Sequence, residues 1–386
     1  MADFIPLSVP NLKGNELKYV THAVETEWVS TVGPYVNDFE KSIADYVGLP
    51  MAVSCQSGTA GLHIALQLMG VTRDDLVIVP SLTFIATVNP VRYCGADPVF
   101  MDCDDTLCMD LDKLEEFLDT ECWLKGDVLF HKSTGRRIPA LVIVHIFGNM
   151  ADIPRLLDIC KKYKLKLVED AAEALGTKYT EGPLKGKFAG TFGDIGVYSF
   201  NGNKTITTGG GGMIVSRDEA LLKEAKHLTT QAKSDELNFM HDEVGYNYRL
   251  TNLQAALGLA QMEQLEKFIE IKTENYEHYV REISRIPNLR MLPFREGIRS
   301  NHWFYCLYLE DEFPLKPAEL IQLFKENSIQ ARPVWGLIDE QPPYAGSITY
   351  KLEKSRMYWE HVVNIPCSSN LTSEDVERVI EVLRNV

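Results

Sequence analysis

The sequence predicts an α/β protein, in which a large domain built on a mostly parallel sheet is followed by a smaller C-terminal α+β domain. Three observations predict this. Apolar runs alternate with helical patterns over roughly 200 residues, the order expected of strand–crossover–strand units. Those runs are apolar throughout, as strands of a parallel sheet covered on both faces should be. Beyond about residue 285 the pattern changes to aromatic-rich strands and a single helix. We set the division at residues 1–255 for an N-terminal arm and the large domain, and 256–386 for a linking helix and the small domain. At 386 residues the chain has ample core for both.

In chain order, residues near 15–30 and 35–47 read as helices. Candidate strands follow at Ala52–Cys55, Leu76–Pro80, Pro98–Met101, Ala140–His145, Lys166–Glu169, Ile195–Ser199 and Gly212–Val215. The stretch Gly126–Arg137 mixes Lys, His and Arg with turn residues and reads as an exposed, irregular hairpin without function. Leu253, Leu257, Leu265 and Phe268 recur near helical spacing, predicting one long helix with a face buried in the core or against another subunit. Asn301–Leu309 then reads as a strand, Pro317–Asn327 as a helix and Ile329–Trp335 as a strand.

Composition excludes several classes of function. A net charge of −15 argues against a nucleic-acid surface and against an acidic membrane, leaving small ligands as the default partners. Eight cysteines contain no Cys-x-x-Cys pair, so no zinc ribbon, other metal site or disulfide framework is indicated. Met-Ala-Asp-Phe-Ile-Pro at the start has neither a basic region nor a long apolar run, and no segment approaches the ~20 apolar residues of a spanning helix. A cytoplasmic protein with reduced thiols is expected.

Chemistry concentrates around Lys204, in Gly196-Val-Tyr-Ser-Phe-Asn-Gly-Asn-Lys204-Thr-Ile-Thr-Thr-Gly-Gly-Gly-Gly212. This reads as a strand, a polar turn carrying one lysine, and a glycine run crowded near a site. Desolvation at such a turn can lower an amine's pKa, and the neutral amine can then form an imine with an aldehyde, which suggests pyridoxal phosphate. Taken alone, the residue also reads as a solvated loop lysine, and its partners elsewhere in the chain decide. Asp170 ends the apolar run Leu165-Lys-Leu-Val-Glu-Asp170, at the carboxyl end of a strand where open sheets bind ligands. There it either holds a pyridine nitrogen protonated, or caps the next helix or pairs with a surface cation. Ser57, Gly58 and Thr59 open an amphipathic helix whose free N–H groups face an anion, although the same three residues also make an ordinary cap. Neither a Walker loop nor Gly-x-Gly-x-x-Gly is present there.

Taken together, Gly33-Pro-Tyr-Val-Asn-Asp-Phe-Glu40, Ser57-Gly-Thr-Ala60, Pro80-Ser-Leu-Thr-Phe-Ile-Ala-Thr87, Glu169-Asp-Ala-Ala172, Tyr198-Ser-Phe-Asn201 with Lys204, and Gly245-Tyr-Asn-Tyr-Arg-Leu-Thr-Asn252 resemble the DegT/DnrJ/EryC1/StrS family through nearly the whole chain. These are sugar aminotransferases of the aspartate-aminotransferase type (fold type I). The resemblance implies pyridoxal 5′-phosphate as cofactor, passing through pyridoxamine phosphate. It implies Lys204 as the lysine that binds the cofactor, Asp170 as partner of the pyridine nitrogen, and Gly58, Thr59 and Ser199 as phosphate ligands. Phe84 takes the place of the ring-stacking aromatic, although Leu82, Phe84 and Ala86 also alternate as a core strand does. Asn247 matches a residue that reaches the neighbouring subunit's phosphate, which implies at least a homodimer; by itself it reads as a turn residue. Arg332 and Trp335 fall in the family's Arg-Pro segment near the sugar nucleotide, or simply on an edge strand.

Glu173 departs from the commonest family pattern, a glutamine approaching the cofactor's 3-hydroxyl. A carboxylate beside a phenolate repels it unless one of them carries a proton. The opening Pro6-Leu-Ser-Val-Pro10, Gly14-Asn-Glu-Leu-Lys18, Trp28-Val-Ser-Thr-Val-Gly33, Glu169-Asp-Ala-Ala-Glu-Ala174 and Asn201-Gly-Asn-Lys204 are similar to the branch acting at C4 of UDP-linked 4-keto-6-deoxy-N-acetylhexosamines. That branch implies L-glutamate as donor and UDP-4-amino-4,6-dideoxy-N-acetylglucosamine as product, for glycan or nonulosonic acid synthesis. Alternatives are a dTDP-keto-sugar 3- or 4-aminotransferase and a non-enzymatic, cofactor-binding regulator. Lys204 argues against the family's dehydratases, and the acidic charge balance argues against a regulator that binds DNA.

Overall fold

The computed structural model describes residues 3–386. Its centre is an eight-stranded sheet of β1 (Ala52–Cys55), β2 (Leu76–Pro80), β3 (Asp97–Met101), β4 (Ala140–Val144), β5 (Lys166–Asp170), β6 (Ile195–Ser199), β7 (Gly212–Val215) and β8 (Ile348–Tyr350). The spatial order is β1-β7-β6-β5-β4-β2-β3-β8. Strands β6, β5, β4, β2, β3 and β8 run parallel, and β7 is antiparallel to both of its neighbours. All residues of β1, β2, β4 and β7 are buried, because apolar side chains on both faces are covered. Two apolar clusters lie on the two sides of this sheet; Leu76 and Ile78 belong to one, Val77 and Val79 to the other.

The two N-terminal helices are Glu16–Glu25 and Pro34–Val47, the second opening on a proline where an N–H would be unpaired anyway. A second antiparallel sheet, ordered Leu289–Met291, Tyr305–Leu309, Val362–Ile365, Arg332–Pro333, forms most of the C-terminal part. That part also returns to the large sheet, since β8 pairs with β3 in register Ile348 to Val99. Among the described residues, no helix is long and apolar enough to cross a membrane.

Four element readings change. The predicted long helix is two, Asn252–Met262 and Leu265–Ile283; a Thr251/Gln254 capping box opens the first. The strand expected from Asn301 starts at Tyr305. Residues 301–304 are occupied otherwise: His302 has a φ of 50°, and Asn301 donates through Nδ2 to the carbonyls of Glu173 and Leu175 at 2.8 and 2.9 Å. The strand expected over Ile329–Trp335 contracts to Arg332–Pro333, since Pro333 has no N–H to extend a ladder. Residues Gly126–Arg137 are more ordered than expected: Cys122–Lys125 pairs with Val128–His131, and Arg136 and Arg137 hold Asp97 and Asp75 at 2.5 and 2.6 Å.

Candidate active site

Two neighbouring strands and the turn after the second end at one place. β5 brings Asp170 to its carboxyl end, β6 brings Ser199, and the turn after β6 brings Lys204. That turn closes through Lys204 N–H to the Asn201 carbonyl at 3.0 Å, in an Asn-Gly-Asn sequence suited to tight turns. Facing it, the helix Gly58–Leu68 begins at Ser57, whose Oγ accepts from Ala60 N–H at 3.1 Å. One cavity of about 320 Å³ collects Ser57, Gly58, Thr59, Phe84, Asp170, Glu173, Ser199, Lys204 and Trp335. Nine of the eleven residues singled out from the sequence therefore meet in it. Asn247 and Arg332 do not. Arg332 lines an adjoining cavity of about 530 Å³, and Asn247 lies exposed on a loop, its Oδ1 accepting from Arg249 Nε at 3.3 Å.

The lysine side chain is 13% exposed, and its Nζ lies 3.6 Å from Glu173 Oε1. Burial lowers the Lys204 pKa, opposed by the negative charges of Glu173 and Asp170. Burial likewise pushes Glu173 up to about 7, against the pull of Lys204 and the Phe147 N–H, which donates to Oε2 at 2.7 Å. Asp170 is also raised by burial. The Thr87 hydroxyl, donating to Oδ2 at 2.7 Å, and Ala172 N–H, donating to Oδ1 at 3.1 Å, oppose that rise. Beneath these groups Glu169 accepts N–H groups from Gly190, Phe192 and Gly193 and lies 2.8 Å from His145 Nε2, so the end of β5 is fixed from below.

The helix start has the shape of an anion cradle. A Cβ on Gly212 would stand 2.7 Å from the Ser57 carbonyl carbon and 2.8 Å from Gly58 N, and one on Gly58 would stand 3.0 Å from Ser199 Cβ. Backbone thus packs where side chains would block it, and the first N–H groups of the helix stay open to a phosphate. Phe84 is 51% exposed, which separates it from the buried Leu82 and settles the alternation in favour of a cavity residue. Its ring centroid lies 5.8 Å from that of Trp335.

Two lining residues escaped sequence reasoning. Thr87 ends the Pro80–Thr87 motif, but its bond to Asp170 joins positions far apart in the chain. Trp303 sat in a run read as strand, and its ring centroid lies 3.7 Å from Lys204 Nζ. The only local signal for Trp303 was an unbroken aromatic stretch.

An amine for the aldehyde, a dry carboxylate for the pyridine nitrogen and a cradle for the phosphate fit pyridoxal phosphate. The fold and this cavity define a pyridoxal-phosphate-dependent aminotransferase of fold type I. The chain belongs to the DegT/DnrJ/EryC1/StrS aminotransferase family, matched over residues 10–384. It is 36% identical to GDP-perosamine synthase of Caulobacter vibrioides, over 99% of this chain and 98% of the relative. It is 27% identical to the UDP-4-amino-4,6-dideoxy-N-acetyl-beta-L-altrosamine transaminase of Campylobacter jejuni subsp. jejuni serotype O:23/36, over 99% and 97% of the two chains. Among solved structures it is similar to the aminotransferase TlmJ from Streptoalloteichus hindustanus, with a TM-score of 0.88 and 26% identity over 99% and 98% of the two chains. It is a nucleotide-sugar aminotransferase, as the sequence motifs led one to expect.

Proposed function

We propose that this chain transfers an amino group from L-glutamate to the keto carbon of a nucleotide-linked sugar, with Lys204 as catalytic amine and Asp170 as partner of the cofactor's pyridine nitrogen. The supporting observation is the meeting of Lys204, Asp170, Glu173 and the helix start at Gly58 in one cavity. In this reading Ser57, Gly58, Thr59 and Ser199 receive the phosphate, Phe84 lies against the ring, and Glu173 sits by the ring oxygen. Asn247 serves the partner subunit of a homodimer, and residues 1–255 and 256–386 are the two domains, the second lending the strand Ile348–Tyr350 to the first's sheet.

Pyridoxal phosphate supplies an aldehyde that captures amines and a ring that withdraws electrons from the carbon bearing the nitrogen. The chain's residues do the rest. Lys204 would hold the cofactor, and its amine, once freed, would take the proton from the donor's α-carbon. In the second half it delivers a proton to the sugar carbon, and the side it occupies fixes the configuration of the new amine. Asp170, kept dry but held by Thr87 and Ala172, maintains a negative charge for the pyridine nitrogen. Glu173, beside the amine, can carry a proton and so relieve its repulsion with the ring oxygen.

For the acceptor, the motifs around Trp28, Glu173 and Lys204 support C4 of a UDP-linked 4-keto-6-deoxy-N-acetylhexosamine, giving UDP-4-amino-4,6-dideoxy-N-acetylglucosamine. A second reading, a GDP-linked keto sugar, is favoured by the higher identity to GDP-perosamine synthase. Arg332 and Trp335 are the residues assigned to the sugar nucleotide, and the reaction is placed in the cytoplasm. The test is the visible spectrum of the purified protein with pyridoxal phosphate, followed through glutamate and then each keto-sugar nucleotide, with Lys204→Ala alongside. Glutamate should bleach the lysine-dependent band and the true acceptor should restore it. Restoration by only the GDP sugar moves the assignment to GDP, and absence of any Lys204-dependent band overturns the function.

A further inference from the structure

Trp303 is 2% exposed and touches the lysine turn at two places. Its Nε1–H donates to the Asn203 carbonyl at 2.7 Å, immediately before Lys204. The Ser8 hydroxyl donates to the same oxygen at 3.2 Å, from the N-terminal arm. The indole face meanwhile lies under Lys204 Nζ, 3.7 Å from the ring centroid. The ring is itself immobilised by stacking on Phe304, with centroids 4.1 Å apart and planes 12° from parallel.

We infer that Trp303 is a positioning residue for Lys204, with its N–H fixing the turn and its π face stabilising the protonated amine. This deepens the proposed role of Lys204 and rests on it. The amine has three charge-bearing or π neighbours: Glu173 at 3.6 Å, the nearby Asp170, and the Trp303 ring. The carboxylates stabilise a cation only while ionised, whereas an aromatic face does so at any pH. Cation–π attraction distinguishes ammonium from neutral amine, so the ring favours the state of Lys204 that has just accepted a proton. Burial pulls the other way, toward the neutral nucleophile. The indole N–H acts separately, on the position of Cα through Asn203.

The two contributions separate in the uptake of pyridoxal phosphate by the apoprotein, whose rate follows the neutral fraction of Lys204. The pH midpoint of that rate reports the ammonium's stability, and the plateau reports how well the amine is placed. Trp303→Leu loses both ring and N–H. Its midpoint should move to lower pH by about 0.5 to 1.5 units, the size of a cation–π contact, and its plateau should fall. Trp303→Phe keeps a ring but no N–H, so its midpoint should stay near wild type while its plateau falls. Circular dichroism of both variants identifies any misfolding, and Trp303→Phe carries the test if Trp303→Leu does not fold. Wild-type midpoint and plateau in a folded variant overturn the inference. A wild-type protein that takes up no cofactor through Lys204 overturns instead the function on which it rests.

Discussion

The Thr87 hydroxyl donates to Asp170 Oδ2 at 2.7 Å and also lies 2.8 Å from the Thr83 hydroxyl, so the carboxylate is oriented by a side chain that is itself held. A hydrogen bond to the ionised form lowers a carboxyl's pKa, here against burial. Thr87→Val keeps the shape and removes the donor. It should cost about 1–3 kcal/mol in support for the charge, a fall in kcat on the order of tenfold or more. The acid limb of the kcat–pH profile should also move to higher pH, which a simple packing defect would not cause.

Glu173 predicts a pH dependence of stability. Its pKa rises from the ordinary 4.5 to about 7 on folding, so between those values the folded apoprotein binds more protons than the unfolded chain. Stability therefore declines as pH rises through this window, by at most about 1.4 kcal/mol per unit for one proton. Lys204, whose pKa falls on burial, acts with the opposite sign, adding stability as pH rises between its folded value and the unfolded one. Urea unfolding of the apoprotein at several pH values should show a shallower decline in Glu173→Gln; equal slopes would mean that Glu173 does not titrate there.

The large sheet was legible because its strands are short runs buried on both faces, a pattern that depends on no distant residue. Seven of its eight strands were placed within about a residue at either end. The eighth, β8, was missed: Ile348–Tyr350 is three residues long and joins β3 from the far end of the chain. Residues 301–304 misled for a related reason. Their aromatic run has the composition of a strand, but Asn301 and Phe304 bond to the chain near Glu173 and to Phe147. In the cavity, motif order placed Lys204, Asp170 and the helix start. Thr87 and Trp303 stayed hidden because their roles are contacts across the fold.

Gly212 should be indispensable to the phosphate cradle. The nearest atoms to an added Cβ are backbone, the Ser57 carbonyl carbon at 2.7 Å and Gly58 N at 2.8 Å, and backbone cannot swing aside as a flexible side chain does. Gly212→Ala must push the helix start away from β7. Overpacking of this kind costs roughly 1–3 kcal/mol. If it falls on the cradle, pyridoxal phosphate affinity drops on the order of tenfold or more, measurable by fluorescence titration of the apoprotein. An alanine variant with wild-type affinity would place the phosphate elsewhere.

Asn247 supplies the sharpest test of a shared active site. It lies outside the cavity of its own chain, on the stretch after a hairpin of Lys233–Asp235 with Met240–His241, and Leu237 and Phe239 in the hairpin's turn and Val244 beyond it are strongly exposed. That stretch is anchored near the cradle, for the Tyr248 carbonyl accepts from Gln56 N–H at 3.0 Å. If Asn247 serves the neighbouring subunit, Lys204→Ala and Asn247→Ala damage opposite halves of each site. Co-refolded in equal amounts, about half of the dimers contain one subunit of each kind. In each of those, one site carries both defects and the other carries neither. Two feeble homodimers should therefore yield about a quarter of wild-type activity on mixing. If Asn247 acted within its own chain, every site in the mixture would keep one defect, and mixing would restore nothing.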